Sequence, residues 1–453
     1  MSTSNNSNAQ SILNHALQEA GTYPNNPFFT QLNFGSYIDS FRRVIKNPEY
    51  AREKHLLVSE QEGLYLIKYD REHLTPENAK TLGLFRSVII KEVCEYGKNE
   101  TITDYIILFA AQPKSVDLEE ITFAETRYPI YIESIIEGTM INLFHDGHKW
   151  RIATRSCIGA DTQFYQDDEK TLSYRQMFME TFKTKGLKLE YFQKGMAYSF
   201  VLQHPENRIV MPVKKANLFL VNIFAPQTLE GYKNVCYMQL GEDGHLDYLT
   251  QANFFHPELR RTVGFSRVTA MPQENAMREF LEYEKRLKEG DYDWRHKGIF
   301  VRSILGHHAK LVNAKYQYVA NLTDNQPKTQ YRFYSLLKKT RCSYIHVSGR
   351  FAKDMVAEYL SYFPEHDKLF REKYTPELEQ WMVDLWHVYM EYWGENELGD
   401  VRLPAQFKKC ILQILDLTKN FKFSLKVDEL KDVVMDNLDT KLIMYSVNFN
   451  KGK

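Results

Sequence analysis

The sequence predicts an α+β protein in which antiparallel-rich β-structure is followed by an all-helical C-terminal domain. From about Lys54 to Asn325, short apolar runs such as LYLIKY, DYIILFA and LFLVNIF are separated by turn residues, a pattern typical of strands. Beyond Asn325 the spacing of apolar residues becomes helical. At 453 residues the chain exceeds the usual size of one compact core, so more than one domain is expected.

These changes of pattern divide the chain into three predicted segments. Residues 1–50 are expected to form a polar tail and a helical appendage, with short helices from about Gln10 to Tyr50 interrupted between Pro24 and Pro27. Residues 51–325 form the strand-rich domain, and residues 326–453 form the helical domain.

Two elements are predicted from local sequence. The run IEGTMINLF leads to His145, Asp146-Gly147 supplies a turn that tolerates positive φ, and KWRIATR returns, which predicts a hairpin. Between Thr375 and Gly394, a proline near the start and a glycine at the end predict a helix. Its expected apolar stripe consists of Leu378, Trp381, Met382, Leu385, Trp386, Tyr389 and Trp393.

Composition limits the classes of function. Lys plus Arg and Asp plus Glu number 58 each, so any contact with nucleic acid must use a local basic patch. The five cysteines are far apart and form no CxxC pair, which argues against a disulfide scaffold or structural zinc and favours a reducing compartment. Apolar stretches are too short to span a membrane, so the chain is expected to be neither secreted nor membrane-bound.

The densest block of candidate functional residues runs from Ile136 to Lys215. It contains IEGTMINLFHDGHKWRIATR and YSFVLQHPENRIVMPVKK; LFRSVII precedes it, and HKGIFVR and HAKLVNAKYQYVANL follow it. This ordered set resembles the phage-type ATP-dependent RNA ligases, and more closely the asfarvirus-like RNA ligases of large cytoplasmic DNA viruses. The resemblance extends from Leu64 to Phe333, about three-fifths of the chain.

The resemblance implies an RNA-ligase-like nucleotidyltransferase core. In these families a lysine amine attacks the α-phosphate of ATP, and the adenylate then passes to an RNA 5′-phosphate. The lysine position, two residues before Glu137, is Ile135 in this chain. Lys297 stands where a metal-facing glutamate is usual, Val312 replaces a second cation, and Val201 replaces another glutamate. These departures favour a protein that retains the fold and lacks ordinary lysine adenylation.

The remaining motif residues form a consistent set of contacts for phosphate, because the arginine guanidinium makes bidentate bonds with phosphate oxygens. Nucleotide binding is assigned to Glu137, Gly138, Arg155, Arg208 and Lys310. Binding of RNA or phosphate is assigned to Arg86, Lys214, Lys215, Tyr316 and Arg332. Each basic residue has the alternative of a salt bridge or a solvated side chain. The alternative for Glu137 and Gly138 is an edge acid and a glycine that relieves crowding in a strand.

Three other patterns leave alternatives open. The block YQYVANLTDNQPKTQYRFYSLLKK is compatible with stacking of RNA bases, or its aromatic residues fill a packed junction between the domains. His204 and Glu206 share a strand face but have no third ligand, so no metal site is predicted. Lys338, Lys339 and Arg341 form a charge cluster of the kind that is usually a solvated face.

Three functions follow. The first is a protein with a ligase fold and no cofactor that binds RNA or nucleotide; the resemblance suggests that it is a subunit of a viral RNA-processing or translation assembly. The second is an active RNA ligase that uses ATP, magnesium and a relocated lysine, for which Lys149 and Lys310 are candidates. The third is a structural or virion-associated interaction protein. The resemblance implies a location in the host cytoplasm, at a viral factory, or in the virion.

Overall fold

The structure is a computed structural model that describes residues 29–33, 38–79, 81–94, 102–118, 130–164, 171–225, 234–239, 256–264, 268–271, 273–302, 308–324, 326–346, 354–393 and 403–449. The described residues form two compact units, one ending at Gln317 and the other beginning with Tyr318. Sequence analysis placed the change between residues 325 and 326.

The first unit is built from fourteen described strands. They are β1 Phe29–Asn33, β2 Leu56–Gln61, β3 Leu64–Tyr69, β4 Val88–Cys94, β5 Ile102–Ala110, β6 Ile130–Ser134, β7 Thr139–His145, β8 Trp150–Ala153, β9 Ala197–Gln203, β10 Asn217–Ala225, β11 Asn234–Gln239, β12 Val268–Met271, β13 Gly298–Arg302 and β14 His308–Val312. The helices that begin in this unit are α1 Ile38–Lys46, α2 Pro48–Glu53, α3 Tyr174–Thr184, α4 Glu258–Thr262, α5 Gln273–Glu289 and α6 Ala314–Thr323.

Antiparallel pairing joins the strands into three sheets. The order is β1-β11-β10-β9-β7-β8 in the largest sheet, β2-β3-β4-β5 in the second and β12-β6-β13-β14 in the third. One apolar core packs α3 against the largest sheet, and a second core joins that sheet to β2–β5. The third sheet packs on α5. Because each sheet has apolar residues on a core-facing side, these cores hold the sheets together.

One apolar run of the sequence is divided between two sheets. The stretch YIESIIEGTMINLF forms β6 in the third sheet and β7 in the largest sheet. Residues 135–138 make the crossing, with Gly138 at φ +153°. The pattern therefore predicted strand structure correctly and gave no sign of the break, because both halves have strand periodicity.

The N-terminal segment differs from its prediction. The structure has a strand, β1, at residues 29–33 where short helices were expected, and helices α1 and α2 follow. The strand forms because it pairs along its whole length with β11, a partner distant in sequence. The interruption between Pro24 and Pro27 lies outside the described residues.

The second unit is helical. Its described helices of eight or more residues are α7 Thr329–His346, α8 Met355–Tyr362, α9 Thr375–Tyr392, α10 Lys408–Thr418, α11 Val427–Asn437 and α12 Thr440–Val447. In α9 the predicted proline lies in the first turn, and Leu378, Trp381, Met382, Leu385 and Tyr389 are buried. The end of the predicted helix at Gly394 lies outside the described residues.

The predicted α+β class, with antiparallel-rich sheets and a helical C-terminal region, is confirmed. The hairpin is also confirmed, since β7 and β8 pair across the turn at Asp146 and Gly147. Among the described residues, none of the helices has the length and apolar character required to cross a membrane.

Candidate functional site

Basic residues that are far apart in the sequence come together in the first unit. We call this set the cationic cluster, and its members are Lys68, Arg71, Arg86, Lys114, Arg155 and Lys297. For every member except Arg71, burial lowers the pKa and the positive charge of another member lowers it further. Arg86 is the centre, because its charge interacts with those of Arg71, Lys114, Arg155 and Lys297.

The sheet β2–β5 positions three members of the cluster. Lys68 lies on β3, Arg86 ends the 3-10 turn Leu82–Arg86 just before β4, and Lys114 follows β5. The amide of Lys114 donates a hydrogen bond of 3.0 Å to the carbonyl of Gly83. This bond fastens the segment after β5 to the turn that contains Arg86.

A closed turn positions Arg155 after β8. The Oγ1 atom of Thr154 accepts hydrogen bonds from the amides of Ser156, at 3.2 Å, and Cys157, at 3.0 Å. The guanidinium of Arg155 lies 6.0 Å from the ring centroid of Tyr69, the last residue of β3. Arg155 is thus held beside the strand that contains Lys68.

Lys297 connects the cluster to Glu137. The amide of Ile135 donates a hydrogen bond of 2.9 Å to the carbonyl of Gly298, so the residues at the start of β13 lie against the crossing segment 135–138. The ammonium of Lys297 is 5.6 Å from the ring centroid of Tyr316. Burial lowers the pKa of Lys297, and the nearby Glu137 carboxylate opposes this change.

The positive charge of the cluster exceeds the nearby negative charge. Carboxylates act on three members through their charge: Asp70 on Lys68, Asp117 on Lys114 and Glu137 on Lys297. Within the part of the chain that the structure describes, no ion pair joins a carboxylate to any member of the cluster. Holding like charges together in a partly buried place costs free energy, which an anionic ligand would relieve.

Ile135 is half-buried beside this cluster, at the position that the resemblance assigns to the nucleophilic lysine. An apolar side chain has no lone pair with which to attack phosphorus. The adjoining Gly298 has φ +135°, and a Cβ atom there would collide with the carbonyl oxygen of Leu311. Glycine is therefore required where β13 and β14 approach each other.

Glu137 has a structural role in the crossing segment. Only 2% of its surface is exposed, and its Oε1 atom accepts hydrogen bonds from the amides of Val210, at 3.0 Å, and Met211, at 2.9 Å. This burial contradicts the alternative that Glu137 is an edge acid. The Tyr316 hydroxyl is near enough for the Glu137 charge to contribute to the raised pKa of Tyr316, after the larger effect of burial. The Oε2 atom of Glu137 nevertheless has no hydrogen bond of ordinary geometry to the described residues.

Gly138 is required by crowding between strands. A Cβ atom at this position would lie 2.5 Å from the carbonyl oxygen of Leu202 and 2.6 Å from a methyl carbon of Val201. The structural interpretation of Gly138 is therefore supported.

The other predicted nucleotide and phosphate contacts are distributed around the first unit. Arg208 is half-buried, and its Nε atom donates a hydrogen bond of 3.0 Å to the carbonyl of Val210. Lys214 and Lys215 are exposed on the segment that follows. Lys310 is exposed on β14, with its ammonium 5.4 Å from the ring centroid of Phe300. Their roles in binding remain predictions.

Arg332 requires a correction. It is 1% exposed, and its guanidinium donates hydrogen bonds to the carbonyls of Thr323 and Gln326 and to the hydroxyl of Tyr359. These contacts are internal to the second unit. The burial of Arg332 contradicts the prediction that it binds RNA.

The aromatic block, for which both stacking on RNA bases and internal packing were left open, is largely buried. Tyr316 is 4% exposed, with Lys297 over its ring, so it offers no open face to a base. Phe333 and Tyr334 are also buried, and the ring centroids of Phe333 and Phe370 are 4.7 Å apart. Packing therefore accounts for these rings better than stacking on RNA does.

The two lysines proposed as relocated nucleophiles lie outside the cationic cluster. Lys149 is exposed at the β7–β8 hairpin, and its ammonium is 3.4 Å from the Glu62 carboxylate. Lys310 is on β14, as described above.

The described residues do not fit a magnesium ion. They contain no group of three or more His, Cys, Asp and Glu side chains able to hold a metal. Lys297 places an ammonium where the resemblance expects a carboxylate. His204 is buried and accepts a hydrogen bond from the amide of Glu206 at 3.2 Å, so its Nδ1 atom caps a turn.

Sequence reasoning missed four members of the cluster: Lys68, Arg71, Lys114 and Lys297. The first three have no motif that distinguishes them, because their charges meet those of Arg86 and Arg155 only through contacts between segments distant in sequence. Lys297 did have a signal, a basic residue at a motif position. The sequence interpretation takes that signal as the loss of a metal ligand, whereas in the structure the ammonium lies within electrostatic reach of Arg86.

Comparison with known proteins gives partial similarities. No protein-family model matches the chain. An RNA ligase of Rhodothermus phage RM378 is 27% identical over 115 residues, which is 24% of this chain and 26% of the phage protein. The chain thus aligns with about a quarter of that relative's length.

Two structures of archaeal ATP-dependent RNA ligase are also similar at a low level. Form 2 has a TM-score of 0.38 and 11% identity, and the match covers 83% of this chain and 89% of that chain. Form 1 has a TM-score of 0.37 and 10% identity, with coverage of 91% and 98%. Activity and substrate do not follow from similarities of this size.

Proposed function

We propose that the chain is an RNA-ligase-like nucleotidyltransferase-fold protein that binds RNA through phosphate contacts in the cationic cluster and does not form the ordinary lysine adenylate. The observation that supports this most strongly is the group of basic side chains around Arg86 without ion-paired carboxylates among the described residues. Such an arrangement favours a phosphate ligand, which supplies the missing negative charge.

The choice of RNA rests on the partial similarity to a phage protein named RNA ligase and on the ordered motifs. The absence of adenylation rests on the sequence, because Ile135 stands at the position that the resemblance assigns to the nucleophilic lysine, and an apolar side chain cannot attack phosphorus. Binding and adenylate transfer need different residues. A site can therefore lose adenylate transfer and keep binding.

The alternative function is an active ATP-dependent RNA ligase with a relocated lysine. ATP would then be a substrate held by Arg86, Arg155 and neighbouring cations. Of the two candidate lysines, Lys149 is ion-paired with Glu62, and Lys310 is exposed on β14 with its ammonium over the Phe300 ring. A place in the virion or in the host cytoplasm, and membership of a viral assembly, remain predictions from the resemblance.

The experiment combines two assays on the full chain. Purified protein is incubated with α-labelled ATP and magnesium, separated under denaturing conditions and examined for a labelled lysine peptide. In parallel, binding of a 5′-phosphorylated single-stranded RNA is measured for the wild type and for Arg86→Met. Arg341→Met is the matched control, because that arginine pairs with Asp432 and Asp436 in the second unit.

We expect no labelled peptide, RNA binding by the wild type and the control, and binding weakened at least tenfold in Arg86→Met, about the effect of removing one charge-assisted contact. A labelled lysine peptide would establish the active alternative and identify its nucleophile. If the wild type neither binds RNA nor forms a labelled peptide, the proposed function is wrong and an interaction protein becomes the better interpretation.

A further inference from the structure

Lys297 occupies an unusual position for a lysine in a partly buried site. Its ammonium lies over the ring of Tyr316 at 5.6 Å and within electrostatic reach of Glu137 and Arg86. It forms no ion pair with a carboxylate among the residues that the structure describes. The ammonium therefore has hydrogen-bond donors left for a ligand, because a lysine has three.

The surrounding charges favour an anion over a divalent cation. A magnesium ion prefers hard anionic oxygen ligands, and the carboxylate near Lys297 is Glu137. One oxygen of that carboxylate is already held by the amides of Val210 and Met211. Two positive side chains, Lys297 and Arg86, would repel a magnesium ion near Glu137, so the electrostatic energy of binding the ion there is unfavourable.

We propose that the ammonium of Lys297 supplies the positive charge for which the resemblance expects a divalent metal, so that the cationic cluster binds a phosphate ester without any metal ion. The ligand class is a terminal phosphate group, from either a 5′-phosphorylated RNA or a nucleoside triphosphate. Lys297 acts by contributing a fixed positive charge and N–H donors to the phosphate oxygens, next to the guanidinium of Arg86.

Three features of the structure support this role. The backbone on both sides of Lys297 is fixed, since the His296 carbonyl accepts a hydrogen bond of 2.8 Å from the side-chain amide of Asn313 and the Lys297 carbonyl accepts one of 3.1 Å from the backbone amide of the same residue. The Tyr316 ring covers one side of the ammonium and leaves its charge in place. Glu137 is also fixed, through Oε1, so the carboxylate that stabilises the ammonium does not move freely.

The inference rests on the proposed function, and its test separates the two. Equilibrium binding of a 5′-phosphorylated single-stranded RNA, the same RNA with a 5′-hydroxyl, and ATP is measured in buffer with EDTA and in buffer with magnesium at equal ionic strength. The proteins are the wild type, Lys297→Met, Lys297→Glu and a control, Lys188→Glu, which makes the same charge change at an exposed lysine.

We expect the wild type to bind with the same affinity, within about twofold, in EDTA and in magnesium. Lys297→Met should bind about tenfold more weakly in both buffers, because one charged contact is lost. Lys297→Glu should lose binding in EDTA and recover part of it in magnesium, since the carboxylate is a metal ligand. Lys188→Glu should match the wild type in both buffers.

The ligands differ in what they identify. Stronger binding of the 5′-phosphorylated RNA than of the 5′-hydroxyl RNA would assign the site to an RNA end, and stronger binding of ATP would assign it to a nucleotide. Binding by the wild type that requires magnesium, or unchanged binding by a folded Lys297→Met, would overturn the inference and leave the proposed function intact. No binding of any ligand in either buffer would overturn both.

Discussion

Two groups of basic residues in this chain have opposite surroundings. Lys338, Lys339 and Arg341 are close in sequence on α7, and each has a partner: the Leu438 carbonyl, Asp324, and Asp432 with Asp436, respectively. The cationic cluster is assembled from residues distant in sequence, and among the described residues no carboxylate forms an ion pair with it. The basic run on α7, which is easily seen in the sequence, has its hydrogen-bond and ion-pair partners within the protein. The cationic cluster, which the sequence does not show as a run, is the candidate site.

Individual arginines show the same contrast. Arg332 is buried with hydrogen bonds from all three guanidinium nitrogens, so its charge stabilises the fold. Arg86 is half-buried among other cations, so its charge is available for a ligand. Burial alone therefore does not distinguish a structural arginine from a binding one; the partners of the guanidinium do.

Replacing Arg332 should have the largest effect on stability. In Arg332→Met, the carbonyls of Thr323 and Gln326 and the hydroxyl of Tyr359 lose their partner in a buried place. We expect the free energy of unfolding of the second unit to fall by about 3 kcal/mol, measured by chemical denaturation. Affinity for RNA under native conditions should be unchanged. A loss of affinity with full stability would instead make Arg332 a binding residue.

Arg151 and Arg155 provide a matched pair on one hairpin. Arg151 is bound to Glu62 at 2.7 Å and to Asp146 at 2.6 Å, whereas Arg155 belongs to the cationic cluster. We expect Arg151→Gln to lower the free energy of unfolding by about 2 kcal/mol and to leave RNA affinity nearly unchanged.

Arg155→Gln should have the reverse effects. Stability should stay within about 0.5 kcal/mol, and the slope of log affinity against log salt should become shallower by about 0.7, the value for one phosphate contact on a single strand. Salt titrations of both variants measure this. Equal slopes for the two variants would remove Arg155 from the site.

Asp146, the partner of Arg151, makes the stability of the fold depend on pH. Burial alone would raise the pKa of Asp146, but hydrogen bonds from the Lys149 amide, Arg151 and the His148 amide hold it at about 2. Because the folded pKa lies below the usual value of 3.8, this carboxylate stabilises the fold above pH of about 4, and the contribution is lost as pH falls toward 2. The free energy of unfolding, measured at several pH values, should therefore fall less between pH 4 and pH 2 for Asp146→Asn than for the wild type. Parallel curves for the two proteins would contradict the low pKa.

Arg341→Gln should have the smallest effect. The arginine is partly exposed and pairs with Asp432 and Asp436, a surface arrangement that contributes below about 1 kcal/mol. We expect a small decrease in thermal stability and unchanged RNA binding, measured as for the other variants. A decrease in RNA affinity as large as that of a cluster variant would mean that the basic run on α7 also binds RNA.

The sequence predicted the strands and the hairpin well, because alternation and an Asp-Gly turn are local properties. It did not predict the break at residues 135–138, where one continuous apolar run changes sheet. It predicted Arg86 and Arg155 from ordered motifs, and their meeting in the structure agrees with a common site. Lys68 and Lys114 could not be found in this way, since contacts between segments distant in sequence bring the charge of Lys68 near that of Arg155 and the charge of Lys114 near that of Arg86.

The central claim is that the charge of Arg86 binds a ligand and lowers the stability of the folded protein when no ligand is bound. The most direct test measures two quantities for Arg86→Met: the affinity for 5′-phosphorylated RNA and the free energy of unfolding without ligand. We expect affinity to fall at least tenfold while stability is unchanged or higher, because a half-buried cation among like charges has been removed. Unchanged affinity together with a loss of about 2 kcal/mol or more in stability would contradict the claim, since it would make Arg86 a structural residue like Arg332.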